Sequence, residues 1–337
     1  MKNKKTISIF VSHQGCPNDC VFCNQRRITG IKNEREPQEI IEHIEKSLQT
    51  IEADYVEIAF FGGSFTAIEE EKQNTLLQIA KNYMEHGKVS GIRISTRPDA
   101  INQAILCRLK EYGVNVIELG VQSLDEEVLA ASNRGHDASC VYESAELILK
   151  NGFKLGLQMM LGLPQDSEEK IQFTISEFIK IKPDFVRIYP VLVIKDTELE
   201  SLFKNKQYEP LSLDKAVALS KNAYVQFREH HIDVIRIGLQ ATDTMNMDVV
   251  AGPYHASFGE MVYSLLFQDI MEENICCSSG EMIVHVHKKH ISKLIGNRKS
   301  NLRYFKEKYD VTIRVREWDE ADEIMMDEQR ITIKKYF

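Results

Sequence analysis

Short apolar runs alternate with amphipathic helical stretches over the first two thirds of the chain, and this alternation constrains the fold more than any other feature. The apolar runs are rich in Val, Ile and Phe, as strands are, and occupy residues 6–11, 55–61, 91–96, 114–121, 154–161 and 184–189. Helical spacing fills residues 37–51, 69–86, 100–112, 138–150 and 168–180. Repeated β-α units predict parallel strands joined by right-handed crossovers. Because a closed barrel needs eight such units, we predict an α/β fold with a partial (β/α)6 TIM-like barrel, and an open sheet as the alternative.

The pattern changes after residue 189. A long helix is predicted over 211–230 and one more strand over 234–237. The tail reads as strand, helix, glycine-containing turn, helix and two strands. We therefore divide the chain into residues 1–275, which form the partial barrel, and residues 281–337, which form a small α+β domain.

Charge is distributed unevenly along the 337 residues. The net formal charge is −8, but residues 281–337 hold 13 basic and 10 acidic side chains and so carry +3. Residues 286–316 alone hold ten basic side chains against two acidic ones. Such a patch on an acidic chain indicates binding of phosphate groups, whereas the alternative is a solvated helix face. We expect Arg298, Lys299 and Arg303 to contact RNA.

The segment Leu-Ile-Gly at 294–296 lies between the two predicted helices of the tail. It resembles the KH module, whose glycine-containing turn between helices clamps a nucleic-acid backbone. Lys299 stands where that turn would have its second glycine. The resemblance implies a KH-like tail domain that binds RNA.

Membrane and export signals are missing from the sequence. The longest apolar runs are too short to span a bilayer, and the amino-terminal residues lack the long apolar core of a signal peptide. We therefore expect a cytoplasmic protein with no membrane partner. Seven cysteines, an odd number, in a chain without an export signal argue against a disulfide framework.

Three cysteines, Cys16, Cys20 and Cys23, crowd together directly after the first predicted strand. In a parallel α/β protein this is the carboxyl end of a strand, where active sites lie. Three thiolates can hold three irons of a [4Fe–4S] cluster and leave the fourth iron open to an exogenous ligand. A zinc site with His13 as the fourth ligand is the alternative.

The cysteine spacing, with an aromatic residue just before Cys23, resembles the radical S-adenosylmethionine (SAM) superfamily. In that superfamily the amino and carboxylate groups of SAM chelate the open iron. An electron from the cluster then cleaves SAM into methionine and a 5′-deoxyadenosyl radical. The resemblance implies a [4Fe–4S] cluster and SAM as cofactors. It also implies an electron donor such as ferredoxin or flavodoxin.

Further segments indicate which part of the superfamily the chain resembles. Gly62, Gly63 and Ser64 end the second strand and resemble the glycine motif that receives the SAM amino group. Segments 95–99, 118–123, 133–136, 158–164 and 189–197 resemble the radical-SAM domain of the Elongator catalytic subunit. By that resemblance the remaining SAM-pocket residues are Ser95, Gln122, Arg134 and Gln158. Ser95 stands where the Elongator subunit usually carries an acidic residue.

The resemblance suggests modification of RNA, namely tRNA at a wobble uridine. About 70 residues follow the radical-SAM part, too few for the acetyltransferase domain of the Elongator subunit, so we expect no acetyl-CoA site. Tyr189 and Lys195 follow the sixth strand and are weaker candidates for catalytic residues. A fainter resemblance to the oxygen-independent coproporphyrinogen oxidases offers an alternative, an enzyme acting on a small molecule such as a tetrapyrrole. A zinc-stabilised RNA-binding protein is the non-enzymatic alternative.

Overall fold

A computed structural model describes residues 3–11, 16, 19–24, 35–239, 248–275 and 280–337. Its first six strands are β1 Lys4–Val11, β2 Tyr55–Gly62, β3 Gly91–Thr96, β4 Val114–Gln122, β5 Lys154–Leu161 and β6 Phe185–Pro190. Each pairs in parallel with the next along the chain. All six predicted strands are therefore confirmed to within two residues at each end.

The further strand predicted over 234–237 is confirmed, and it adds a seventh strand to the sheet. After β6 the chain forms the short β7 (Val193–Ile194), and β8 (Asp233–Ile237) returns to pair in parallel with β6. The curled sheet has the order β1-β2-β3-β4-β5-β6-β8 and forms a half-barrel. A further short strand, β9 (Val249–Ala251), pairs with β7 in an antiparallel two-stranded ribbon.

Helices follow most of these strands along the chain. They are α1 Pro37–Leu48, α2 Glu70–Glu85, α3 Gln103–Glu111, α4 Glu126–Ala131, α5 Ala138–Lys150, α6 Glu168–Ile181, α7 Glu198–Lys204, α8 Leu213–Glu229 and α9 Phe258–Glu273. The predicted start of α3 at residue 100 is wrong, because the Asn102 side chain caps this helix by accepting from the backbone N–H of Ile105 at 2.9 Å. Among the described residues, no helix is long and apolar enough to cross a membrane.

Residues 280–337 form a small α+β module. Its elements are β10 Gly280–His287, α10 Ile291–Ile295, α11 Ser300–Tyr309, β11 Val311–Trp318, β12 Glu323–Met326 and β13 Gln329–Thr332. The sheet order is β11-β10-β12-β13, with β10 and β11 parallel. The sequence prediction missed β12, which is four residues long and pairs only through three residues of β10 and four of β13.

Candidate active site

The cysteine segment follows β1 at the carboxyl edge of the sheet. Cys20 is buried, whereas Cys16 and Cys23 are partly exposed. The backbone N–H of Cys23 donates to the carbonyl of Cys20 at 2.9 Å and closes a tight turn between them. His13, the possible fourth zinc ligand, lies outside the described residues.

Two arginines place positive charge beside these thiols. Arg134 is buried, and its Nη1 donates to Cys20 Sγ at 3.0 Å. Burial raises the pKa of the Cys16 thiol, and the backbone N–H of Ser64 together with the guanidinium groups of Arg97 and Arg134 partly offsets that rise. The two guanidinium groups thus act against burial, in the direction that favours the thiolate form in which cysteine binds a metal.

The segment after α4 fastens the cysteine turn to the barrel. Asn133 Nδ2 donates to the carbonyl of Asp19 at 2.9 Å, and the N–H of Val21 donates to the carbonyl of Ser132 at 3.2 Å. The carbonyl of Val21 in turn accepts from the N–H of Leu199, at the start of α7, at 2.8 Å. The sequence did not reveal that Asn133 holds the cysteine turn in place. Its φ of 52° lies in the left-handed region, which asparagine adopts more readily than most residues.

The glycine segment after β2 lies directly against the end of β1. Gly62 has φ of 110°, and a Cβ atom there would stand 2.8 Å from the carbonyl oxygen of Val11. Gly63 donates its N–H to that same oxygen at 2.8 Å. Ser64 is buried, and its hydroxyl accepts from the N–H of Arg97 at 3.2 Å. Only glycine at position 62 permits this close approach.

Two of the predicted SAM-pocket residues each hold a buried side-chain oxygen that has no hydrogen-bond partner among the described residues. They are Ser95 Oγ, on β3, and Gln122 Oε1, at the end of β4. Gln122 also has φ of 77°, next to a register shift between β4 and β5. Unpartnered buried polar atoms are costly, and strained backbone of this kind is concentrated at ligand sites. Both features fit a polar ligand bound at the carboxyl edge.

Below this edge, charged side chains fill the lumen of the half-barrel. Glu118, fully buried, forms ion pairs with Arg93 at 3.2 Å and with Arg187 at 2.9 Å. It also accepts a hydrogen bond from Gln158 Nε2. Arg93 pairs further with Glu57 on β2 at 2.7 Å. The structure thus places the predicted SAM-pocket residue Gln158 on an ionic network that sequence reasoning missed.

The two weaker catalytic candidates lie apart from each other. The side chain of Tyr189 joins the ionic network in the lumen, since its hydroxyl accepts a hydrogen bond from Arg187 Nη1 at 3.1 Å. Lys195 follows β7 and is exposed. Its backbone N–H donates to the carbonyl of Asp248 at 2.9 Å, which fixes the position of this residue. The side-chain amide of Asn24 lies 3.4 Å from the carbonyl of Lys195, which brings this loop beside the cysteine turn.

The three residues expected to contact RNA lie together on the C-terminal module. Arg298 and Lys299 are exposed in the turn between α10 and α11, and Arg303 is exposed in the first turn of α11. Arg298 and Lys299 have φ of 50° and 62°, which is rare for two successive residues other than glycine. Gly296 begins the turn, and a Cβ atom there would stand 2.2 Å from Ser300 Oγ.

The residues at the carboxyl edge fit an iron–sulfur cluster and SAM by their chemistry. Among the described residues, no three His, Cys, Asp or Glu side chains already stand as a metal-ligand group. The fit therefore rests on the thiols, their cationic neighbours and the unpartnered atoms of Ser95 and Gln122. Three soft sulfur ligands and few oxygen donors suit iron–sulfur better than a hard cation.

Comparison with known families agrees with this geometry. Residues 10–178 match the model of the Radical SAM superfamily, and residues 183–267 match that of the Radical_SAM C-terminal domain. Residues 281–334 match the KH domain model, which confirms the predicted KH-like tail.

Related proteins point the same way. The chain is 28% identical to an uncharacterized protein of Methanocaldococcus jannaschii, over 71% of this chain and 76% of that protein. It is 35% identical to human Elongator complex protein 3, over 49% of this chain and 34% of that protein. It is 28% identical to the tRNA uridine(34) acetyltransferase of Methanocaldococcus infernus, over 63% of this chain and 43% of that protein. The chain thus spans less than half the length of these last two relatives.

A solved structure shares the fold. The Elp3 protein of M. infernus superposes with a TM-score of 0.66 at 24% identity, over 81% of this chain and 63% of that one. The superfamily model covers half of the chain, including the cysteine turn and the glycine segment. This protein therefore belongs to the radical SAM superfamily of enzymes and carries a KH domain at residues 281–334.

Proposed function

We propose that this radical SAM enzyme modifies RNA, and that its substrate is a tRNA uridine. The observation that carries the proposal is the combination, in one chain, of the cysteine turn with a KH domain whose basic turn is exposed. Relatives named tRNA uridine(34) acetyltransferase support the choice of uridine. Membership of an enzyme superfamily speaks against the zinc-stabilised binding protein.

Each part of the carboxyl edge has a role in this proposal. Cys16, Cys20 and Cys23 would hold three irons of a [4Fe–4S] cluster. The residues that would hold SAM are Gly62, Gly63, Ser64, Ser95, Gln122, Arg134 and Gln158. When bound, the two groups supply one-electron cleavage of SAM, and a ferredoxin or flavodoxin would supply the electron.

The chain itself would position these groups and keep water out. Gly62 lets β2 approach the end of β1 closely, and Asn133 holds the cysteine turn against the barrel. Arg134 is buried within hydrogen-bonding distance of Cys20 Sγ, where its charge would stabilise an anionic cluster. Its Nε has no partner among the described residues and remains available to a carboxylate such as that of SAM.

Mass spectrometry of tRNA nucleosides tests the substrate. We expect cells that lack the gene to lose one modified uridine, and the purified enzyme, reconstituted anaerobically with SAM and a reductant, to restore it on their tRNA. An unchanged nucleoside profile would overturn the tRNA proposal and favour the small-molecule alternative.

Cysteine variants test the cluster. The variant C16A/C20A/C23A should lose the bound iron and sulfide, about four of each per chain, and the formation of 5′-deoxyadenosine. The matched control is C107A/C140A, whose cysteines lie on helices α3 and α5 away from the turn. Equal iron content in both variants would contradict the assignment.

Charge-removing variants test the RNA contacts. The variant R298A/K299A/R303A should bind RNA more weakly and with a slope of log K against log salt reduced by about 2. The control K150A/K180A/K204A removes the same charge from exposed helix positions of the barrel. If both variants bind alike, the basic turn is not the RNA site.

A further inference from the structure

The KH domain is fixed to the barrel through helix α9. Asn301 of α11 is buried, and its Nδ2 donates to the carbonyl of Ser264 of α9 at 2.8 Å. The rings of Phe267 on α9 and Phe337 at the carboxyl terminus stack with their centroids 4.9 Å apart. Glu272 accepts hydrogen bonds from α11, among them one from Tyr304 Oη at 2.8 Å. Buried contacts along most of α9 therefore set the position of the KH domain relative to the barrel.

Helix α9 starts at the same edge of the barrel as the cysteine turn. Gly238 directly follows β8, and its N–H donates to the carbonyl of Ile188 near the end of β6 at 2.9 Å. A Cβ atom on Gly238 would stand 2.9 Å from the ring of Phe258, the first residue of α9. The amino end of α9 thus lies against the carboxyl ends of the strands, where β1 delivers the cysteines.

The basic turn of the KH domain contacts a loop at that edge. Asn297 Nδ2 lies 3.5 Å from His255 Nε2, in the loop that precedes α9. The same loop begins at Gly252, which packs closely against Val191, just beyond β6. A Cβ atom at position 252 would stand 3.1 Å from the carbonyl oxygen of Val191. The KH turn and the barrel mouth are thereby joined by direct contacts.

The ribbon of β7 and β9 completes the connection to the cysteines. Gly252 follows β9, which pairs with β7, and β7 leads into Lys195. The amide of Asn24, next to Cys23, lies 3.4 Å from the carbonyls of Lys195 and Asp196. Contacts therefore run without a break from the turn at 296–299, over His255 and the ribbon, to the cysteine turn.

We propose that this series of contacts is a track for one single strand of RNA. A strand clamped by its phosphates at Arg298 and Lys299 runs over His255 and the ribbon and presents a base a fixed number of nucleotides away to the barrel mouth. The inference rests on the proposed function and adds that the KH turn sets which nucleotide reaches the cluster. A rigid spacing follows because α9 holds the two sites in one body.

Photo-crosslinking tests the track with the full-length chain. The probe is a labelled, uridine-containing single-stranded RNA of about 15 nucleotides, long enough for a site of this class. The crosslinker p-benzoylphenylalanine replaces, in turn, Arg303 beside the KH turn, Lys195 beside the cysteine turn, and Lys88. Lys88 is the control because it is exposed at the amino end of β3, the opposite edge of the barrel.

We expect crosslinks from positions 303 and 195 to the same strand, separated by a constant number of nucleotides, and none from position 88. R298A/K299A should reduce crosslinking from position 195 at least tenfold, since the strand is anchored at the turn. Two outcomes would overturn the track but leave the proposed RNA binding intact. One is crosslinks from position 303 with none from position 195, and the other is crosslinks from position 195 that persist in R298A/K299A. Absence of RNA binding by the unsubstituted chain overturns instead the proposed RNA substrate.

Discussion

The basic turn of the KH domain, residues 296–299, has Arg298 and Lys299 at two positions where the backbone of glycine would be less strained. Arg298 and Lys299 both have positive φ, and Lys299 donates its N–H to the carbonyl of Gly296 at 3.0 Å to close the turn. The left-handed conformation costs a residue other than glycine about 1 to 2 kcal/mol. Strain of this kind is concentrated at ligand sites, which fits the proposed contact of these two side chains with RNA.

Replacing Lys299 by glycine should therefore stabilise the chain and weaken RNA binding. The relief of strain exceeds the added chain entropy of glycine, so the free energy of unfolding should rise by about 0.5 to 1 kcal/mol. RNA binding should weaken through loss of one phosphate contact. Urea unfolding and a filter-binding titration measure the two effects. Lys299→Ala is the control, which loses the charge but keeps the strain, so it should weaken binding without stabilisation.

Among the elements, the strands of the half-barrel are linked through their lumen side chains. Glu118 on β4 pairs with Arg93 on β3 and Arg187 on β6, and Arg187 also lies over the ring of Phe61 on β2 at 5.1 Å. With the pair of Arg93 and Glu57 on β2, four strands share one network of charged side chains. A buried charge that loses its partner is costly, because the remaining charge has no solvent to stabilise it.

The substitution Glu118→Gln should lower the free energy of unfolding by about 3 kcal/mol, since it leaves Arg187 without its carboxylate in a buried site. Urea unfolding measures the loss. Glu146→Gln, which removes an exposed pair with Lys150 on α5, should cost less than about 1 kcal/mol. The double variant E118Q/R187M should recover part of the loss. Equal stability of E118Q and the unsubstituted chain would show that the network contributes little.

The sequence predicted most elements of the barrel but not what their lumen side chains do. Strand β5 and helix α5 match the prediction residue for residue, because apolar periodicity is strong in both. Apolar runs without strict alternation are typical of strands that are buried on both faces. The polar residues Arg93, Glu118 and Gln158, each flanked by apolar residues within a strand, are the available signal of a charged lumen. Their pairing depends on neighbouring strands, which periodicity within one strand does not reveal.

The site was predictable where its residues are adjacent in sequence. Cys16, Cys20 and Cys23 share one short segment, and Arg298, Lys299 and Arg303 share another, so each group could be recognised as a unit. The fastening of the cysteine turn by Asn133, and the contact of Asn297 with His255, join segments far apart in sequence. Such contacts follow from the topology of the whole fold.

At the scale of the whole molecule, the two sequence-defined regions share one hydrophobic core. The largest cluster of buried apolar side chains includes Ile58 in the half-barrel, Phe267 on α9, and Val284 and Phe305 in the KH domain. The carboxyl-terminal Phe337 packs against that cluster. The boundary that composition and charge indicate near residue 280 is therefore not a boundary in packing. A KH domain attached in this way cannot unfold without exposing α9.

We predict that the barrel and the KH domain unfold in one cooperative transition. Trp318 on β11 is the only tryptophan of the chain, so its fluorescence reports the KH domain, whereas far-ultraviolet circular dichroism reports mainly the helices of the barrel. Because the core is shared, both signals should change at the same urea concentration. Phe337→Ala removes the stacked ring against Phe267 and should move both midpoints to lower urea together. A fluorescence transition that precedes the loss of helix would show that the KH domain folds as a separate unit, and the fixed spacing of the RNA track would fail with it.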